Sequence, residues 1–101
     1  MTSNPVTYEI TATVEVDLCD DYESYMIERH IPDLLETGEF VGASFSRSRP
    51  GRYRIRYEAH NRESLDRYLA EHAARLRQHF AETFPIGVEL SREEWEEIHR
   101  W

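Results

Sequence analysis

The chain has 101 residues, 40% of them hydrophobic, and its 20 acidic and 12 basic side chains give a net charge of −8. This length suits a single domain over residues 1–101 with one modest hydrophobic core. The negative charge argues against a nucleic-acid partner, because phosphate contacts need a basic surface, and no apolar run approaches the ~20 residues of a membrane span.

Two elements are predicted before the first glycine of the chain, Gly38. Apolar and polar residues alternate over residues 6–16, which is typical of a half-buried strand. A helix is predicted over residues 21–36, because Asp20 or Asp21 can cap its first turn and Gly38 can end it. The chain therefore begins with a strand followed by a helix.

A proline inside this helix is the most unusual feature of the sequence. Pro32 removes a backbone hydrogen bond and clashes with the preceding turn, at a cost of about 3 kcal/mol. Ile31 precedes the proline and is biased away from helical dihedrals, so we expect the helix to be broken near Pro32. The polar neighbours His30 and Asp33 then either satisfy backbone groups freed by the break or belong to a functional site.

A β-hairpin and a second helix follow. The hairpin strands are predicted over residues 40–48 and 52–60, with a tight turn at Pro50–Gly51. The helix is predicted over residues 62–83, with Asn61 as its cap. Its apolar stripe consists of Leu65, Leu69, Leu76 and Phe80.

The last segment is ambiguous from its residues alone. Ile86, Val88 and Leu90 alternate and begin a fourth strand. Ser91 and Glu94 match a capping box, which favours a helix after them. The segment can equally continue as an edge strand.

The element order βαββαβ is that of the ferredoxin-like α+β fold. Right-handed crossovers place the two helices on one face of a four-stranded antiparallel sheet, with the expected strand order 4-1-3-2. The first and third strands are then central neighbours, and their apolar faces lie under the helices. The opposite face of the sheet is polar.

That polar face combines basic side chains on the third strand with acidic ones on the first. Arg52, Arg54 and Arg56 alternate along one strand, and Glu9 and Glu15 lie on the other. Antiparallel sheets often expose such a face to water, but two faces can also meet in a homodimer and enclose a polar interior. Arginine suits that role because its planar guanidinium pairs with carboxylates through two contacts. The three arginines are therefore candidate ligand-binding residues for an anion.

Three segments of the chain resemble a known family. They are His30-Ile31-Pro32-Asp33, Thr37-Gly38-Glu39-Phe40, and the run from Leu65 to Arg77. At this spacing they are similar to a small bacterial family catalogued as domain of unknown function 4286, roughly from Tyr8 to Ile98. The resemblance implies a ferredoxin-like dimeric α+β barrel, related in fold to antibiotic-biosynthesis-type monooxygenases, and a strand over residues 86–98. It implies no activity.

A shared site of two histidines is the sharper hypothesis about function. His72 falls in register with the apolar stripe of the second helix, and the two helices are neighbours in this fold. We therefore hypothesise that His30, Asp33 and His72 form a catalytic general base, because histidine titrates near neutral pH. The alternative is that both histidines are hydrogen-bonded core residues.

Metal and cofactor sites are not expected. The 5 histidines lack the tight spacing of zinc ligands, and Cys19 is a lone thiol. The single cysteine permits no internal disulfide and favours a reducing, cytoplasmic location.

Two classes of function stay open. The first is an uncharacterised small homodimeric module that binds a small-molecule ligand or serves in assembly. The alternative is a cofactor-free enzyme of the monooxygenase or isomerase type that uses His30, His72 or both, which rests on fold analogy. An apolar pocket with either histidine pointing into it would favour the enzyme. A filled core with both histidines bonded to the backbone would favour the module.

Overall fold

One antiparallel sheet of four strands carries the fold in the computed structural model, which describes residues 5–101. The strand order is β2-β3-β1-β4, which is the predicted order 4-1-3-2 read from the other edge. The elements are β1 (Val6–Val14), a 3-10 turn (Val16–Leu18), α1 (Cys19–Tyr25), a π-helical turn (Met26–His30), α2 (Ile31–Glu36), β2 (Phe40–Arg49), β3 (Arg52–Ala59), α3 (Arg62–Glu71), α4 (Ala73–Thr83) and β4 (Val88–Glu96). The predicted α+β fold with a four-stranded antiparallel sheet is confirmed.

The first helical segment is not broken at Pro32. Ile31 keeps helical dihedrals (φ −63°, ψ −46°), and its N–H donates to the carbonyl of Met26 five residues earlier. This wide π turn leaves room in the helix for the ring of Pro32, whose missing N–H cannot make the usual four-residue bond. The irregularity expected around His30 therefore exists, but as a π turn within a continuous helix.

The second helical segment is divided where one long helix was predicted. Its backbone leaves helical dihedrals at His72 (φ −125°, ψ −32°), between α3 and α4. The division lets each half bury its own face against the sheet, Leu65 and Tyr68 from α3 and Leu76 and Phe80 from α4.

The core lies between the helices and the inward faces of the two central strands. Alternate residues of these strands are buried, as the period of two predicts. They are Val6, Tyr8, Ile10, Ala12 and Val14 in β1, and Tyr53, Ile55, Tyr57 and Ala59 in β3. Val16 is 80% exposed, because β1 ends at Val14 rather than at the predicted residue 16.

The hairpin turn depends on one glycine. Gly51 has φ +81°, and a Cβ atom there would lie 2.7 Å from the carbonyl oxygen of Val14. The Val14 N–H donates to the Gly51 carbonyl at 2.8 Å, so the turn is held against the end of β1.

The ambiguous tail is a strand, as the family resemblance implies. β4 pairs with β1 from Val14↔Val88 to Val6↔Glu96, so Ser91 and Glu94 lie within the sheet and form no capping box. The open edge of β1 offers a full ladder of backbone hydrogen bonds, and this favours the strand over a short helix. Within residues 5–101, no helix has both the length and the apolar character needed to cross a membrane.

Candidate functional site

The π turn sets which side chains of the first helical segment face the sheet. Tyr22, Met26, His30 and Leu34 follow one another at steps of four residues. In a regular α-helix each such step advances by about 40° beyond a full turn, so the four side chains would spread around the helix. The π turn accommodates an additional residue, and the four remain on one face. Three of them are buried, and His30 is half-buried.

A small cavity lies under this face, between the sheet and the helices. Its volume is about 30 Å³, which is room for about one water molecule. Its apolar and aromatic wall comes from both central strands and from the helices. The lining residues are Tyr8, Ile10, Tyr22, Met26, His30, Leu34, Ile55, Tyr57, Tyr68, Arg77, Phe80, Leu90 and Arg92.

His30 is the imidazole on this wall. Its ring centroid lies 5.7 Å from that of Tyr25 and 5.5 Å from that of Phe80. Burial lowers the pKa of His30 from 6.5 to about 4, with smaller effects from the charge of Asp33, which raises the pKa, and from the charges of His79 and Arg92, which lower it. No hydrogen bond within residues 5–101 involves the ring. At neutral pH the imidazole is therefore uncharged and its lone pair is available.

Asp33 does not line the cavity. Its carboxylate accepts a hydrogen bond from Arg29 Nε at 3.0 Å on the helix surface, and it acts on His30 only through its charge. Thr37 caps the end of α2, where its hydroxyl donates to the Leu34 carbonyl at 2.7 Å. The polar residues around Pro32 thus divide between the helix surface and the cavity.

Two arginines that line the cavity, Arg77 and Arg92, were not among the site residues predicted from the sequence. Arg77 Nη2 donates to the Tyr8 hydroxyl at 2.8 Å. Arg92 makes no hydrogen bond or ion pair with any other residue in 5–101. A signal for Arg92 was present, because it continues the inward alternation of Val88 and Leu90 on β4 and places a charge on an apolar face.

His72 lies in a different cluster and is not among the residues lining the cavity. Its Nδ1 atom is 3.1 Å from Arg75 Nη2, and its ring stacks on Tyr68 with the centroids 6.4 Å apart. The structure shows no contact between His30 and His72 in the chain from residue 5 onward. The predicted general-base trio of His30, Asp33 and His72 is thus not brought together.

The surroundings of His72 include one arrangement of potential metal ligands. Ligand atoms of Glu39, Glu71 and His72 lie within 4.8 Å of one another. Both oxygens of Glu39 accept hydrogen bonds from Arg67, at 2.9 Å each, which lowers the pKa of Glu39. Because Arg67 already neutralises the most buried ligand, this cluster is better described as an ion-pair network than as a metal centre.

The polar sheet face holds the other predicted site. Glu9 Oε1 lies 3.8 Å from Arg54 Nε and 3.5 Å from Arg56 Nε. Arg52 instead donates to the Thr13 hydroxyl at 3.4 Å. Two of the three candidate anion-binding arginines therefore already share one carboxylate, as expected for a charge-complementary face.

This architecture is that of ferredoxin-like α+β proteins, and solved structures share it. SnoaB, a cofactor-independent oxygenase from Streptomyces nogalater, is 16% identical over 97% of each chain, with a TM-score of 0.76. A dimeric ferredoxin-like protein from an uncultured marine organism is 14% identical over 98% of this chain and 100% of its own, with a TM-score of 0.69.

A third solved structure extends the range of activities found on this fold. The heme-degrader MhuD from Mycobacterium tuberculosis, with two hemes bound in its active site, is 13% identical over 95% of this chain and 98% of its own, with a TM-score of 0.69. At such low identities, these likenesses establish the fold.

The family follows from the sequence. Residues 5–98 match the family described as Domain of unknown function (DUF4286), and the chain belongs to it. The resemblance predicted from the three segments is confirmed. No curated protein sequence matches the chain.

Proposed function

We propose that the cavity is the active site of a cofactor-free acid–base enzyme, in which His30 accepts a proton from a small, largely apolar substrate. The observation that carries the proposal is an uncharged imidazole, without a hydrogen-bond partner in residues 5–101, on the wall of an apolar cavity. An apolar pocket with His30 on its wall is the feature that favours an enzyme over a filled structural module.

The chemistry follows from the lone pair of His30. A substrate with an acidic C–H or O–H group can transfer its proton to the imidazole, which leaves an anion in the cavity. The positive charges of Arg77 and Arg92 would stabilise that anion. An isomerase returns the proton to another atom, whereas an oxygenase lets the anion react with O2. The likeness to the cofactor-independent oxygenase SnoaB supports the second reaction class.

Substrate binding requires the cavity to widen. Ligand sites typically measure about 300–1,000 Å³, whereas this cavity measures about 30 Å³. Arg92 is exposed and forms no bond to the rest of residues 5–101, so its side chain can move away at little cost. We propose that displacement of Arg92 admits the substrate.

Proton transfer can be tested with β-tetralone, a small uncharged ketone with an acidic C–H group beside its carbonyl. We expect the protein to accelerate the exchange of this proton in D2O, followed by proton NMR, and His30→Gln to reduce the acceleration by about 10²-fold. The rate should fall in acid with an apparent pKa of about 4. The control His99→Gln, in the exposed tail, should leave the rate unchanged. Equal rates for the wild type and His30→Gln would refute the proposal.

We also propose that two copies assemble through the polar sheet face. The outward side chains of β3 include Arg54 and Arg56, and those of β4 include Glu89 and Glu93. Two faces packed against each other can set the acidic strand of one copy opposite the basic strand of the other. A solved structure with this fold is described as a dimeric ferredoxin-like protein, which supports assembly of this chain as a homodimer.

Light scattering tests the assembly. The expected mass is twice the 12.0 kDa of the chain. Arg54→Glu should shift the mass toward that of one chain, because it places like charges across the interface. Arg75→Glu, on the helical layer, makes the same change in charge and should leave the mass unchanged. A wild-type mass near 12.0 kDa would refute the dimer.

A further inference from the structure

Resting on the proposed function, we infer that the ligand of the cavity is a small apolar acid, whose anionic group binds Arg92 and Arg77 and whose apolar body lies against Tyr22 and Met26. Ligands of this class have an aromatic or alicyclic ring that carries one carboxylate or phenolate group. The inference names the class of substrate for the same site.

The first support is the local charge of the cavity. The chain as a whole carries a net charge of −8. The lining of the cavity nevertheless contains two guanidinium groups and, among the described residues, no carboxylate. An uncompensated positive charge beside an apolar wall stabilises an anion more strongly than it would in open solvent. The cavity therefore selects a ligand of the opposite sign to the protein.

The second support is that Arg92 is left unpaired in an acidic chain. Many other arginines lie within 4.0 Å of a carboxylate, namely Arg29, Arg47, Arg54, Arg56, Arg62, Arg67 and Arg100. Arg92 faces the helices from the inward side of β4, where Glu94 two residues later pairs with Arg62. A guanidinium without a carboxylate at the mouth of an apolar cavity matches the geometry that binds a ligand acid through two hydrogen bonds.

The third support is a buried hydroxyl inside the cavity. Tyr22 is fully buried and lines the cavity, and its Oη atom is the buried side-chain polar atom in residues 5–101 that lacks a partner. Leaving such a group unsatisfied costs about 1–3 kcal/mol. Burial raises the pKa of Tyr22 far above its ordinary value, so the hydroxyl stays protonated and can donate. A carbonyl or ether oxygen at the inner end of the ligand would accept this bond.

A bound anion would also change the behaviour of His30. The negative charge favours the protonated imidazole, and the pKa of His30 should rise from about 4 toward its ordinary 6.5. His30 becomes a stronger proton acceptor when the acid is bound. The pKa of His30 is therefore a readout of anion binding that is independent of catalysis.

Paired ligands of equal shape test the inference. Benzoate and α-naphthoate are compared with benzamide and α-naphthamide by isothermal titration calorimetry, while NMR follows the His30 ring of the full chain. We expect each carboxylate to bind about tenfold or more tightly than its amide, because hydrogen bonds to charged groups are the stronger ones. Carboxylate binding should raise the pKa of His30.

Two arginine variants locate the preference. Arg92→Gln should remove most of the carboxylate preference, because it weakens the binding of each carboxylate more than the binding of its amide. Arg49→Gln, an exposed arginine at the end of β2, should keep the preference. Persistence of the full preference in Arg92→Gln would overturn the assignment.

The outcomes separate the inference from the proposed function. Equal binding of carboxylate and amide with a shift of the His30 signals would overturn the acid preference and leave the active site standing. If neither the carboxylates nor the amides bind, the inference is overturned. The exchange of β-tetralone then remains a separate test of the proposed function. A carboxylate preference without exchange of β-tetralone would support an acid-binding site and refute the acid–base enzyme.

Discussion

The half-buried imidazole of His30 gives the folded chain a specific sensitivity to acid. Its pKa is lowered from 6.5 to about 4, chiefly by burial, so the folded state resists protonation while the unfolded state does not. Above pH 6.5 both states hold a neutral ring, and the free energy of unfolding has its full value. As the pH falls toward 4, the unfolded state gains a proton first and the folded state loses stability.

The size of this effect follows from the two pKa values. The difference between 6.5 and about 4 corresponds to about 3 kcal/mol if the ring is fully withdrawn from water. Because the ring is only half-buried, we expect a loss of about 2 kcal/mol between about pH 7 and pH 4.5. In a domain of this size that loss lowers the unfolding temperature by about 10 °C.

Urea unfolding of the wild type and His30→Gln at the two pH values measures this loss. The variant should lose about 2 kcal/mol less than the wild type, because its side chain does not titrate. Glutamine keeps a comparable volume, and the exposed His99→Gln serves as the control that should follow the wild type. Protein concentration is held fixed, since assembly would shift the apparent stability. An NMR titration giving a pKa near 6.5 for His30, or parallel pH profiles for the wild type and His30→Gln, would refute the reasoning.

Three further predictions, which use four substitutions, test the fold. Tyr22→Phe should raise the free energy of unfolding by about 1 kcal/mol, because it removes the unsatisfied buried hydroxyl. Both Gly51→Ala and Gly38→Ala force a positive φ on alanine, but only the Cβ atom at residue 51 would lie 2.7 Å from a carbonyl oxygen. In urea unfolding, Gly51→Ala should therefore lower the free energy of unfolding by about 1 kcal/mol or more beyond the loss in Gly38→Ala. Tyr53→Phe removes the 2.6 Å hydrogen bond that helps to lower the pKa of Glu23, and an NMR titration should find that pKa higher.

For each of these three predictions, one result would contradict the physical reason given. A loss of stability in Tyr22→Phe would mean that the hydroxyl already has a partner, such as a bound water molecule. Equal costs for the two glycine variants would mean that the hairpin turn can relax away from β1. An unchanged Glu23 pKa in Tyr53→Phe would assign the lowering to Arg47 instead.

The fold was predictable because its signals are local. Alternation along β1 and β3 fixes which side chains enter the core, and Pro50–Gly51 defines the turn between β2 and β3. The residues alone left β4 undecided, because a capping box and an alternating strand are both short-range patterns. Pairing with the free edge of β1 decides between them, and only the assembled sheet provides that edge.

The candidate site was predictable only in part, for a related reason. His30 stood out because it lies next to Pro32, and it does reach the cavity. Arg77 and Arg92 were not predicted as site residues, because they belong to other elements and only the packing of those elements brings them to the cavity beside His30. His72 shares the helical register of the core, yet the interruption between α3 and α4 sets it beside Arg75 instead of the cavity.

The sequence by itself determined the element order, the strand faces, the polar sheet surface and the family of this chain. These properties follow from side-chain periods of two and of 3.6 residues and from turn residues, all of which act over a few neighbours. The tertiary structure decided that Pro32 is accommodated by a π turn, that His30 and not His72 reaches the cavity, and that Arg92 lies there unpaired. Cavities, pKa shifts and unpaired charges depend on which segments, distant in the sequence, pack together, and no local pattern encodes that packing.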